Sequence, residues 1–153
     1  MIDAILSDAD NDDNENFSDC LKELHIDTLN RHTLFRAVML QKINQNENLY
    51  FVRPDLEPYC HAFYGAHVFR SWLLFEKEKK YKILHRGDRD VFQVLRKKHH
   101  GYYDVTIENW TEFNSIVYRY HYSGKEYRPA ICKEVIFTNK EGYAVEKKIS
   151  CNR

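Results

Sequence analysis

The sequence is poor in residues that break or loosen a chain. Five glycines and three prolines in 153 residues leave no room for long flexible linkers beyond the first stretch. No apolar run approaches the ~18 residues that a helix needs to cross a bilayer, which reads against membrane insertion. There is no C-x-x-C pair, no G-x-S-x-G elbow and no glycine-rich phosphate loop. The common zinc, redox, α/β-hydrolase and nucleotide-binding signatures are therefore missing. Net charge is also lacking, but the zero hides an asymmetry. Residues 1–20 hold seven acids (Asp3, Asp8, Asp10, Asp12, Asp13, Glu15, Asp19) and no base, leaving 23 bases against 16 acids in the rest. That surplus is scattered and comes with no nucleic-acid-binding motif, so nucleic acid is not the expected partner.

What is present favours strands. Aromatics make up 14% of the chain, chiefly 11 tyrosines and 9 phenylalanines, residues that fit a pleated, half-buried surface. Residues 1–16 read as an acidic flexible leader and 17–153 as a single β-rich domain. Ser18 stands before apolar residues at helical spacing, giving a short helix over about 18–30. Hairpins follow: 34–40 with 49–52, 68–75 with 81–84, and 135–137 with 143–145. Short strands fall near 91–95 and 102–107, and Ser115–Tyr122 alternates, with Ile116, Tyr118, Tyr120 and Tyr122 opposite Val117, Arg119 and His121. Strands at this spacing imply a mainly β fold: an antiparallel sandwich, a barrel or a propeller-like sheet, with a short N-terminal helix.

The chemistry-bearing residues point away from catalysis. Cys20, Cys60, Cys132 and Cys151 are even in number and widely spaced, which suits two disulfides, with three pairings open and four free thiols as the alternative. Cys132 and Cys151 flank the last hairpin and are placed to close its open end. Met1 to Asp8 lacks the basic and apolar regions of a secretory signal. The chain is expected to be periplasmic or secreted with its signal absent from this sequence, or else cytosolic with reduced cysteines. Cys60-His61, His67 and His99-His100 show no standard metal spacing, so no metal is assigned. Asp8, Asp10 and Asp12 alternate as in a calcium loop, but the sixth-position glycine and twelfth-position glutamate are absent. Asp104, Glu108 and Glu112 are the carboxylates available for glycosidase-type chemistry, without a spacing that pairs them. No cofactor is implied, and the chain reads as a binding protein rather than an enzyme.

The most specific local feature is Ser123-Gly124-Lys125-Glu126-Tyr127. Glycine permits the turn, serine offers a small hydroxyl and tyrosine a rigid amphipathic contact, so the hairpin tip can act as a wedge for a partner's cleft. The alternative is that Gly124 merely closes the hairpin while Tyr127 packs inside. Tyr64-Gly65-Ala66, Trp72, Gly101-Tyr102-Tyr103-Asp104, Tyr118-Arg119-Tyr120, Gly124-Lys125-Glu126-Tyr127 and Cys132 together resemble a layout of small exported bacterial domains akin to propeller-type repeat proteins. Within it, Ser123-Gly124-x-x-Tyr127 resembles the S-G-x-x-Y loop of bacterial periplasmic lysozyme inhibitors and related immunity proteins. The resemblance implies that Ser123, Gly124, Lys125 and Tyr127 contact a protein partner, a peptidoglycan hydrolase, and occlude its active site. The other readings are an envelope glycan-binding module or small enzyme, and a cytosolic interaction adaptor of effector or viral type.

Overall fold

The computed structural model describes residues 1–9, 11–64, 69–89, 91–137 and 144–151. Among these, helices α1 (Ile2–Asp8) and α2 (Asn11–Glu23) precede β1 (Phe35–Asn44), β2 (Glu47–Pro54), β3 (Phe69–Lys77) and β4 (Lys80–Arg89). Then come β5 (Val91–His99), β6 (Tyr102–Trp110), β7 (Asn114–Tyr122), β8 (Tyr127–Phe137) and β9 (Ala144–Ile149). The expected mainly β, antiparallel fold is present, as two sheets in plain chain order, β1-β2-β3-β4 and β5-β6-β7-β8-β9. Both sheets are open, so the barrel drops out. The chain divides into two compact units, Met1–Asp88 and Arg89–Arg153, where a single domain over 17–153 was expected.

The acidic leader is the largest correction. Residues 2–8 form α1 and 11–16 form the first half of α2, where a flexible extension was expected, and the helix expected at about 18–30 lies at Asn11–Glu23. The reason is twofold. Asp13, Phe17 and Cys20 recur at helical spacing and are buried on one face, and Ile5 of α1 is fully enclosed. The acids also have partners further along the chain. Asp3 pairs with Arg31, Asp8 with Arg86, and Asp13 with Arg70, whose Nε also reaches Asp88 at 3.0 Å. Asp12 and Asp13 in the first turn of α2 further favour it by opposing the positive end of the helix dipole. A composition that looks disordered in isolation is ordered by complementary charge downstream.

The first unit is organised by rings. Phe17 lies 5.7 Å from both Phe35 and Phe63, and Trp72 lies 5.3 Å from Phe63 in an edge-on arrangement. Cys20 bonds to Cys60 across this cluster and Cys132 to Cys151 in the second unit, so all four cysteines are paired. Such pairing is consistent with an oxidising compartment.

Turns explain the hairpins. Glu78 and Lys79 between β3 and β4 have φ of 51° and 62°, and His100 and Gly101 between β5 and β6 have 50° and 83°. Positive φ at both central residues is the I′ geometry that matches strand twist, reached here without Asn-Gly. Pro129 sits in β8 where the register with β7 steps past Ala130, a bulge that spares the sheet a missing donor. The last hairpin pairs as expected, Phe137 opposite Ala144, while its turn at 139–142 lies outside the described residues, as do Gly65, Ala66 and His67.

The two disulfides close loops of different length, with separations of 40 and 19 residues. Loop-closure entropy then predicts losses of about 4 kcal/mol for Cys20→Ser with Cys60→Ser and about 3 kcal/mol for Cys132→Ser with Cys151→Ser. Urea unfolding of the two double variants checks both the size and the order.

Candidate functional site

The second sheet carries the residues from which a site can be built. At one end of β7 lies the turn expected to act as a wedge. Gly124 there has φ of 94°, a left-handed backbone that strains any side chain with a Cβ. Ser123 closes the turn: its backbone N–H donates to the Glu126 carbonyl at 2.8 Å, and its Oγ donates to the same oxygen at 2.8 Å. The Glu126 N–H returns a bond to Ser123 Oγ at 3.3 Å. Tyr127 begins β8 with 5% of its surface exposed, and its hydroxyl donates to the Tyr103 carbonyl at 2.8 Å. Burial pushes its phenol well above the ordinary tyrosine range.

Of the four residues expected to contact a partner, Ser123 is half-buried and bonded within the turn, and Tyr127 is buried and anchors it to β6. Gly124 and Lys125 form the exposed tip, beside His100 in the adjoining turn, whose Nδ1 lies 4.0 Å from where a Gly124 Cβ would stand.

Behind this tip is a polar cluster on one face of the sheet. Asp104 in β6 is 1% exposed. It accepts from Arg119 of β7 through Nη2 at 2.8 Å and Nε at 3.2 Å, and lies 2.5 Å from His99 Nδ1 of β5. The His121 ring stacks against His99 at 4.9 Å. Burial opposes ionisation of Asp104, but the His99 and Arg119 bonds outweigh it and hold the carboxyl below its ordinary range. A carboxylate saturated in this way ties three strands together and is poorly suited to act as a base. The alternation read from Ser115 to Tyr122 holds: Val117 and Arg119 share the face that carries Asp104. Beside the cluster, Leu95, Thr106, Val117, Arg119 and Ile131 line a depression of ≈ 400 Å³, bordered by the Lys133–Glu146 ion pair.

At the opposite end of β7 is a feature that sequence reasoning missed. Trp110 is 56% exposed and Phe113 70%, on the turn between β6 and β7, and Phe137 beside them is 43% exposed. Trp110 and Phe137 meet edge-on at 6.5 Å. The turn is tightly braced. The Thr111 N–H donates to the Asn114 carbonyl at 2.8 Å, Thr111 Oγ1 donates to Asn114 Oδ1 at 2.5 Å, and Asn114 Nδ2 donates to Glu134 at 2.6 Å. The Phe137 N–H donates to the Phe113 carbonyl at 3.0 Å, fixing the turn to β8. The signal available in the sequence was W-T-E-F: two large aromatics at a turn, where polar residues are the rule. Glu112, one of the candidate carboxylates, is exposed in this turn, and Glu108 is half-buried on β6.

Among the described residues no group of three or more His, Cys, Asp or Glu side chains is placed to hold a metal ion. Cys60 is in a disulfide and has no thiolate to offer, and His61 Nδ1 lies 3.6 Å from Cys20 Sγ. No family model, curated protein or solved structure matches the chain.

Two outcomes test this reading. Asp104→Asn leaves Arg119 and His99 facing a neutral amide and is expected to cost about 3 kcal/mol in urea unfolding. Because the folded carboxyl titrates below its unfolded value of about 3.9, its contribution is fully present above that pH and is lost as pH falls through the folded value. The cost of Asp104→Asn should accordingly shrink in acid. Separately, Tyr127→Phe removes the bond to the Tyr103 carbonyl and should cost about 1 kcal/mol, with the cooperative transition retained.

Proposed function

We propose that the chain is a non-catalytic, periplasmic or secreted binding protein that grips a protein partner through the aromatic turn of its second sheet, and that the partner is a lysozyme-type cell-wall hydrolase which it inhibits. The observation that supports binding is the exposure of Trp110 and Phe113 on a turn braced by Thr111 and Asn114. Large exposed aromatics are costly in water and are the commonest energetic anchors of protein interfaces, and a rigid turn presents them at little entropic cost. The oxidised cysteine pairs support a location outside the cytoplasm.

The choice of a hydrolase rests on the Ser123-Gly124-x-x-Tyr127 pattern. With Ser123 Oγ bonded across the turn and Tyr127 buried, Lys125 is the exposed side chain that this turn offers to a partner. A lone ammonium on a protruding tip suits the paired carboxylates of a glycosidase cleft. The nine residues of β7 separate the two turns by roughly 30 Å, so the aromatic turn would grip the partner's surface outside the cleft that Lys125 suits.

The experiment is inhibition of peptidoglycan lysis by a panel of lysozyme-type hydrolases, with the full chain as inhibitor. Trp110→Ala with Phe113→Ala is expected to weaken inhibition more than about tenfold, since each is an anchor rather than a rim contact, and to leave urea stability nearly unchanged. Loss of inhibition with Lys125→Glu alone would move the contact to the other turn. Inhibition of none of the panel, with binding to purified peptidoglycan instead, would replace the inhibitor with the glycan-binding reading, for which Trp110 and Phe137 supply a stacking surface.

A further inference from the structure

We propose that the outer edge of β1 in the first unit is a strand-addition site for an extended peptide that carries acidic residues around a short apolar stretch. The inference is independent of the aromatic turn and of the hydrolase reading.

The two open sheets have four edge strands, and they are not alike. β4 carries Lys80 and Lys82, β5 carries Arg96-Lys97-Lys98 where its register with β6 slips between Val94 and Lys98, and β9 carries Glu146-Lys147-Lys148. Charges and bulges of this kind keep an edge from pairing with another chain, because pairing would desolvate them. Residues 37–39 of β1 have neither: they are uncharged and in unbroken register with β2. Arg36, Ala37, Val38 and Met39 are exposed in succession, with Val38 at 45% and Met39 at 53%. Successive residues point to opposite faces, so four in a row leave the strand open from both sides. From Phe35 to Met39 the register with β2 is unbroken, and the step at Leu40 comes only after this stretch. A regular, apolar, uncovered edge is a template for main-chain hydrogen bonds.

Charge selects the occupant. Arg36 stands directly opposite Arg53 of β2, a like-charge pair that destabilises a ladder unless an anion lies nearby. Arg53 donates to the Pro54 carbonyl at 3.0 Å and lies over the Phe69 ring, and among the described residues no carboxylate pairs with Arg36 or Lys42. β1 itself holds Arg36 and Lys42 and no acid. Pairing two copies of β1 would thus gather four cations without an anion, whereas an extended peptide with Glu or Asp at its ends neutralises Arg36 and Lys42 and lays its apolar residues beside Val38 and Met39.

The probe is the capped peptide Asp-Glu-Val-Thr-Val-Glu-Asp, titrated into the full chain labelled with nitrogen-15. Amide shifts concentrated at residues 35–42 are expected. Arg36→Glu with Lys42→Glu should weaken this peptide at least about tenfold and favour a version with lysines at its ends; both substitutions are on exposed side chains. Met39→Lys, which places a charge on the open edge, should abolish binding while unfolding behaviour stays unchanged. Shifts centred elsewhere, or an affinity indifferent to the charge reversal, would sink the proposal. So would sedimentation showing a dimer that the Arg36→Glu, Lys42→Glu chain cannot form, since the edge would then belong to a second copy.

Discussion

Four rings, Phe17, Phe35, Phe63 and Trp72, hold the first unit together, each drawn from a different element. α2 gives Phe17, β1 gives Phe35, the short turn at His61–Phe63 gives Phe63, and β3 gives Trp72. Ile5 of α1 and Val52 and Leu74 of the sheet belong to the same buried cluster, so the rings stand at the centre of the apolar contact between helices and sheet. Ring pairs at 5–6 Å add directional attraction to their buried area, and the Cys20–Cys60 bond fixes two of the same elements covalently. The Asp3 and Asp8 pairs are exposed and each adds little, whereas the largely buried Asp13–Arg70 pair ties α2 to β3.

The second unit solves the same problem differently. Its buried side chains include Asp104 and Ser115 alongside Val105, Ile107, Cys132 and Tyr127. A buried carboxylate is tolerated there only because Arg119 and His99 satisfy it, and this makes β5, β6 and β7 mutually dependent. A sheet knit by internal polar bonds can leave large aromatics at its end without losing its shape. Exposure of Trp110 and Phe113 is therefore compatible with a rigid scaffold, and rigidity is what makes an exposed aromatic an anchor rather than a liability.

Strand positions were legible because they depend on local pattern. Alternation in Ser115–Tyr122 and the glycine at 124 each encode one element, and both are found where the pattern puts them. The acidic segment was misread because its order depends on Arg31, Arg70 and Arg86, which lie far away in sequence. Tyr127 was ambiguous for a related reason: a tyrosine after a tight turn serves equally as a wedge or as a plug, and the Tyr103 carbonyl decides between them. The aromatic turn escaped notice because Trp110 reads as the end of one strand and Phe113 as a stray loop residue. Only the bonds from Thr111 to Asn114 and from Phe137 to Phe113 join them.

The charge asymmetry first seen along the sequence acquires a different meaning once the units are separated. Residues 89–153 carry 12 bases against 8 acids, and residues 1–88 carry 11 against 15. Four acids of the first unit, Asp3, Asp8, Asp13 and Asp88, are paired with Arg31, Arg86 and Arg70, while Lys125 stands exposed at the tip of the second. Charge of this kind steers a partner over distances up to the Debye length of about 8 Å, and it acts mainly on the rate of encounter. Apolar anchors act on the lifetime of the complex. A partner gripped by Trp110 and Phe113 should thus dissociate at a rate that salt hardly alters. One held by Lys125 should lose affinity steeply as salt rises, and this difference assigns the contact to one turn or the other without any substitution.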